Sequence, residues 1–322
     1  MNLVKTRQFI VLISLLLSLP LFIAGKPAEG QPKPFKSFGP FKLLGRIPSV
    51  RGGVDVVEDA NKQKFIIKEH FCSSDGVAEA LAAAIGKEVI NTNQVQIFPS
   101  NKVILNGKEI NNITTVHMYI EGEQIKNEHD NIDNDFINEA ITTREHLKNL
   151  VTKHAQLKDI AAFNIFINNR DCNNGNVLLH KKTNQLYGID FASAFIPLSR
   201  SSELLAARTG DYLQSLNKEE LSLEEIKVLK HIRQTLKILS NQYPPTELYR
   251  LWVDIGKQAN YNPDLSTQKE MSRYMNTNFN EIQYLCYRIN RLIKKPLSLK
   301  SVFKNMARPS EEAEQNFWQT VY

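Results

Sequence analysis

The stretch FINNRDCNNGNVLLHKKTNQLYGIDFASAF, residues 166 to 195, carries two aspartates, Asp171 and Asp190, with Asn176 between them and short apolar runs separating all three. Just before it, DIAAFNIFINN has apolar residues at helical spacing and should end near its Asn-Asn pair. NVLLH and QLYGI are short apolar segments divided by the polar turn KKTN, the pattern of a strand hairpin. Asp171 therefore follows a helix, Asn176 opens one strand and Asp190 closes the next. All three can converge at one end of a small hairpin.

The residues upstream have a different character. FKLLGRI and VDVVED have strand composition, with PSVRGG to turn between them, and DANKQK turns into FIIK, which ends in Lys68. Ser73, Ser74 and Asp75 offer N-caps to GVAEALAAAIG, an alanine-rich helix that stops at Gly86. QVQIF, KVILNGKEI and TTVHMYI predict further strands, with a hairpin turn at Asn106-Gly107. Residues 41 to 121 thus read as a small antiparallel sheet carrying one helix. Residues 122 to 310 read as mostly helical, and EELSLEEIKVLKHIRQTLKIL and EIQYLCYRINRLIKKPLSL are its most periodic helices.

Composition narrows the function classes. Three cysteines without a Cys-x-x-Cys pair, and seven histidines, argue against a structural zinc site or a disulfide framework. The net charge of +6 is spread along the chain without aromatic-interleaved basic runs, so nucleic acid is not an expected partner. Residues 1 to 25 are distinct: Lys5 and Arg7 precede the apolar run Phe9 to Ala24, and small residues follow, as in a secretory leader. The run is short for a spanning helix of about 20 residues, and it contains Pro20. A cleaved leader is thus expected ahead of an anchor. Residues 26 to 40, rich in Pro, Gly and Lys, read as a linker, and 311 to 322 as a tail.

The two aspartates and the asparagine suit a nucleotide-bound magnesium ion. Mg²⁺ takes hard oxygen ligands and keeps only one or two carboxylates, the rest coming from phosphates and water. Asn176 and Asp190 are the candidate metal ligands, and Asp171 would accept or orient the proton of an attacking hydroxyl. Such a site also needs a cation on the phosphates, for which Lys68 is the candidate. Glu79, on the following helix, is the candidate to hold that lysine, with Glu88 as a rival beyond the helix end. Ser49, Gly52 and Gly53, between the first two strands, would let backbone N–H groups approach the phosphates. With Met118 and Lys68 they make up the expected nucleotide contacts.

The succession FIIK, AEALAAAIG, RDCNNGN and YGIDFASAF resembles the protein-kinase-like superfamily in its order of lysine, helix glutamate, catalytic aspartate, asparagine five residues on, and metal aspartate. Asp190-Phe191-Ala192 looks like that family's Asp-Phe-Gly with the glycine replaced. His-Arg-Asp, the glycine-rich Gly-x-Gly-x-x-Gly and Ala-Pro-Glu do not occur. FNIFINNRDCNNGN is similar to a stretch of HipA-type kinases. RDCNNGNVLL followed by IDFASAFIP resembles type II phosphatidylinositol 4-kinases and actin-fragmin kinase. The resemblance spans residues 41 to 200. It implies an α+β, two-lobed fold that uses ATP with Mg²⁺ or Mn²⁺ and phosphorylates a hydroxyl of a protein or an inositol lipid. A pseudokinase working as an interaction module, and an AMP transferase on the same fold, are the alternatives.

The remaining features have plainer readings. Arg200 and Arg208 could meet an anionic acceptor, but pairing with neighbouring acids is the simpler expectation. The basic end RINRLIKKPLSLKSVFK could touch an anionic membrane, although a solvated face is the simpler reading. Cys172 is expected to be an inert thiol and the Asn112 sequon a chance match. A secretory leader and a need for ATP point to an anchored protein, or to delivery into another cell, as for a bacterial protein acting in a host.

Overall fold

The computed structural model describes residues 39–47, 54–124, 156–169, 174–195, 222–261 and 279–294. The leader, most of the linker, the segment holding Ser49, Gly52 and Gly53, residues 170–173 with Asp171 and Cys172, Arg200, Arg208 and the tail lie outside the described residues.

The upper part is a five-stranded antiparallel sheet. Strands β1 (Lys42–Ile47), β2 (Val54–Glu58) and β3 (Lys64–His70) follow one another through two reversals, as expected. Strand β4 (Val95–Phe98) lies at the far edge, and the sixth and seventh extended segments differ in fate. β7 (Ile113–Met118) inserts between β3 and β4, giving the order β1-β2-β3-β7-β4. The β-branched residues of β2 and β3 divide by strand alternation. Val57, Phe65, Ile67 and Val116 are buried on one face, whereas Val54, Val56, Ile66 and Lys68 are half-buried on the other.

KVILNGKEI departs from expectation. It turns at Asn106-Gly107, both at positive φ, but pairs only with itself as β5 (Ile104–Leu105) and β6 (Lys108–Glu109). It is a separate hairpin tied to residue 41 rather than part of the main sheet: the Phe41 N–H donates to Ile104 O at 2.9 Å. Phe41 meets the buried Phe65 edge-on, with ring centroids 5.7 Å apart. Two-residue strands have too few ladder bonds to compete for the sheet edge, and what holds the hairpin is apolar contact through Val103 and Ile110, both buried.

Helix α1 (Ser73–Gly86) connects β3 to β4. Ser73, Ser74 and Asp75 are its first turn, not its caps: Cys72 occupies the N-cap in extended conformation, with no side-chain capping bond. Ten of its fourteen residues are buried, among them four of its five alanines, whose small side chains allow close approach on more than one side. At its end a Cβ on Gly86 would stand 3.0 Å from the Phe163 ring, so glycine is what lets this helix touch the lower part there.

Among the described residues the lower part contains a small sheet and four helices. β8 (Gly122–Gln124), β9 (Val177–His180) and β10 (Leu186–Gly188) pair in the order β10-β9-β8. The hairpin of β9 and β10 agrees with expectation; β8, too short to show alternation, does not emerge from the sequence. The Gly188 N–H donates to Asn91 O at 2.9 Å and joins this sheet to the turn after α1. The helices are α2 (Leu157–Phe166), α3 (Leu223–Gln242), α4 (Pro245–Gln258) and α5 (Phe279–Lys294). Asn168, in the left-handed region at φ 49°, stops α2 where the Asn-Asn pair predicted. α4, absent from the sequence reading, starts with Pro245 in its first turn and buries Leu248, Trp252 and Gly256 at i, i+4, i+8. It packs on α1 and on α5, while α2 packs on α3. Among the described residues no helix is long and apolar enough to cross a membrane.

Phe163, fully buried, touches Gly86 and meets Phe191 edge-on at 5.5 Å. Phe163→Ala should lower the free energy of unfolding by ~3–5 kcal/mol, read from urea denaturation, because it empties the contact between α1 and the lower helices.

Candidate active site

Lys68 is the fifth residue of β3 and lies on the half-buried face of the sheet. Its Nζ donates to Glu79 Oε1 at 3.1 Å and Oε2 at 3.2 Å, and to Asp190 Oδ1 at 3.0 Å. Glu79 sits in the second turn of α1 with its side chain 1% exposed, whereas Asp190 is 41% exposed. Glu88, the rival partner, lies in the turn beyond α1. Three residues separated by as many as 122 positions thus meet at one ammonium group. The described residues have a protein-kinase-like fold: an upper antiparallel sheet with one helix, a mostly helical lower lobe, and lysine, glutamate and aspartate brought together between them.

The backbone around Asp190 explains how its carboxylate is held. Asp190 adopts φ 58°, a left-handed conformation that aspartate tolerates better than most residues. The next N–H, of Phe191, donates to Glu79 Oε1 at 3.3 Å, and the Phe191 ring is buried against Phe163. On the other side the Ile189 N–H donates to Asn176 O at 2.9 Å. Asn176, which ends a single 3₁₀ turn (Asn174–Asn176), is therefore one backbone hydrogen bond from the segment bearing Asp190. The structure brings together Lys68, Glu79, Asn176 and Asp190. Met118 is oriented differently: its side chain is on the sheet face opposite Lys68, where the Gln63 carboxamide lies 3.0 Å from its sulfur. Asp171, Ser49, Gly52 and Gly53 lie outside the described residues.

Charge is the governing feature of this cluster. Burial alone would pull the Lys68 ammonium down, but Asp190 and then Glu79 outweigh it and hold its pKa above the ordinary value. Burial pushes the Glu79 carboxyl up to about 7, against the opposing pull of Lys68. Two carboxylates face one ammonium, and of the two Asp190 lies on the exposed side. The Asp190 carboxylate is a hard oxygen donor, as the carboxamide oxygen of Asn176 would be, and such donors fit Mg²⁺ better than a softer metal. Among the described residues no group of three His, Cys, Asp or Glu side chains forms a metal cage.

A buried polar wall behind Glu79 was not anticipated. The Asn93 Nδ2 donates to His117 Nδ1 at 3.1 Å, which makes that nitrogen the acceptor. His117 Nε2–H then donates to Thr115 Oγ1 at 2.9 Å, and the hydroxyl donates onward to His70 Nε2 at 2.7 Å. His117 Nδ1 is 3.9 Å from Glu79 Oε1. Strand register could have shown this wall, because Thr115 and His117 pair with Lys68 and Ile66 and share their face.

No protein-family profile matches the sequence, and no curated protein matches it. Among solved structures the chain is similar to a Helicobacter pylori proinflammatory kinase, CtkA, with a TM-score of 0.46 at 11% identity over 84% of this chain and 96% of that one. It is similar to the N-terminal 618-residue fragment of LepB from Legionella pneumophila, with a TM-score of 0.42 at 12% identity over 78% of this chain and 46% of the fragment. The kinase domain of Mycobacterium tuberculosis PknI gives a TM-score of 0.30 at 12% identity over 79% and 97% of the two chains. The residue roles rest on this chain's own geometry.

Burial and the Lys68 cation hold His70 down to about 3, and burial, Lys68 and His70 hold His117 well below its ordinary 6.5. Both are neutral in the native protein and take up protons on unfolding below pH 6.5, so each contributes stability that is lost as the pH falls. Glu79, raised from 4.5 to about 7, acts in the opposite direction and offsets one of them. His117→Asn should therefore flatten the acid-side loss of stability between pH 6.5 and 4.5, by up to ~1.4 kcal/mol per pH unit relative to the parent protein. Urea titrations at stepped pH measure this.

Proposed function

We propose that this chain is an atypical kinase that moves the γ-phosphoryl group of ATP to a hydroxyl of a protein or an inositol lipid. The observation that carries the reading is the Lys68–Glu79–Asp190 cluster, in which one lysine joins a buried glutamate to a part-exposed aspartate. Phosphoryl transfer depends mainly on positioning and on neutralising phosphate charge. In this reading Lys68, held by Glu79, binds phosphate oxygens, and Asn176 and Asp190 are the metal ligands. Bound there, Mg²⁺ would offset charge on the transferring group. Asp171, placed by its spacing to Asn176, would orient the acceptor hydroxyl. Val54, Val56 and Ile66, half-buried on the same face as Lys68, offer an apolar roof for a base. The Met118 side chain is turned away from this site.

The narrower likeness to HipA-type kinases, type II phosphatidylinositol 4-kinases and actin-fragmin kinase rests on the sequence motifs. The leader and the basic C-terminal segment favour a membrane-associated or delivered protein, and an anionic membrane would bring an inositol lipid within reach.

The test uses the full chain with Mg²⁺ or Mn²⁺ and ATP labelled on the γ- or the α-phosphate, offered mixed phosphoinositide vesicles and a cell lysate. Label should arrive from the γ position and fall by about 10²-fold or more in Lys68→Met and Asp190→Ala. Transfer from the α position would make it an AMP transferase. No transfer, with ATP still raising the melting temperature, would make it a nucleotide-binding pseudokinase.

A further inference from the structure

The chain leaving β7 passes through Tyr119, Ile120 and Glu121 into β8, a strap between the two sheets. Against this strap lies a cavity of about 550 Å³, bounded by residues 92–94 on one side and by His180 and Tyr187 on the other. None of Lys68, Glu79, Asn176 and Asp190 lines it; Met118 does, on the sheet face opposite Lys68. Its size falls within the range of ~300–1,000 Å³ usual for small-molecule sites.

Three features define what would fit. The first is charge. The Lys64 ammonium stands 5.8 Å from the centroid of the Tyr119 ring and has no carboxylate partner among the described residues, while Glu121, the acid on the same wall, is engaged by Lys182 at 3.4 Å. The second is flatness: Tyr119, Tyr187 and His180 all present rings, the last two with centroids 6.0 Å apart. The third is polarity on the facing side, where Thr92, Asn93 and Gln94 line the cavity.

We infer that this cavity is a second small-molecule site, separate from the Lys68–Asp190 cleft, for a planar heteroaromatic ligand bearing a carboxylate. The carboxylate pairs with Lys64, the ring lies along Tyr119 and Tyr187, and the polar edge meets Asn93. Occupancy is felt beyond the cavity. Asn93, a residue of the lining, donates its side-chain amide to His117 Nδ1, the nitrogen 3.9 Å from Glu79 Oε1. A ligand that draws on Asn93 changes the hydrogen bonding of His117.

The experiment contains no nucleotide, so its outcome is independent of the kinase reading. Nicotinate and its neutral counterpart nicotinamide are titrated into the full chain and followed by saturation-transfer NMR, with the His117 imidazole nitrogens observed in labelled protein. Nicotinate should bind about tenfold more tightly than nicotinamide, as expected of one charge-assisted hydrogen bond. Lys64→Gln should abolish that preference, Tyr187→Leu should weaken both ligands, Asp190→Asn should change neither, and bound nicotinate should shift the His117 resonances. Lys64 is exposed, so its replacement leaves the fold intact even if Tyr187→Leu does not. Absence of binding at millimolar nicotinate, equal affinity for the two ligands, or binding lost in Asp190→Asn and kept in Lys64→Gln would each overturn the inference.

Discussion

A carboxylate that is 1% exposed is costly unless a cation and hydrogen-bond donors reach it, and Glu79 is in that position at the centre of this molecule. Lys68 supplies the cation, and the Phe191 N–H supplies a donor from a segment more than a hundred residues away. Much of the architecture follows from this requirement. β3 must present a lysine on the face that meets α1. That helix must come close to the sheet, which its alanines allow. The chain after β10 must turn back sharply at Asp190, which the left-handed backbone there accomplishes. Removing Lys68 would leave Glu79 buried and uncompensated, so the same contact that organises the candidate site also joins the two lobes.

Much of this was legible from residue order. Apolar alternation located β1, β2, β3, β7, β9 and β10, because each is long enough, or closely enough bounded by turn residues, to show its period. Lys68 and Glu79 were legible because a lysine ending a strand, followed by a glutamate within a helix, is informative once the Asp-Asn-Asp spacing is seen downstream. Other features depended on tertiary context. KVILNGKEI has strand composition, but its backbone hydrogen bonds go to its own two arms and to residue 41 rather than to the main sheet. Ser73, Ser74 and Asp75 are good capping residues, yet the chain entered its helix one residue earlier, at Cys72. β8 is three residues long, below any detectable period. Met118 shows the limit of residue type alone: it is expected among the nucleotide contacts, and strand parity turns its side chain to the face opposite Lys68.

The histidine wall has a comparable origin. Interior strand positions usually carry apolar residues, and here the face behind Glu79 carries Thr115, His117 and His70. Each donor in the chain from Asn93 to His70 has one acceptor, so the groups satisfy one another without needing a charge. A neutral wall beside an ion pair leaves the pair's own charges undisturbed. It also provides polarisability where an aliphatic residue would provide none.

The burial of α1 on nearly all sides has a mechanical consequence. A helix that rests on a sheet by one stripe can swing away as a lever, and its glutamate then serves as a reversible contact. Here ten of fourteen residues are enclosed, with the sheet on one flank and α4 on another. Swinging the helix outward would exhume much of the upper core along with Glu79. The lysine–glutamate contact therefore has the stiffness of an interior and not of a gate: it is assembled when the chain folds. What remains adjustable afterwards is the electrostatic setting of the pair rather than its position.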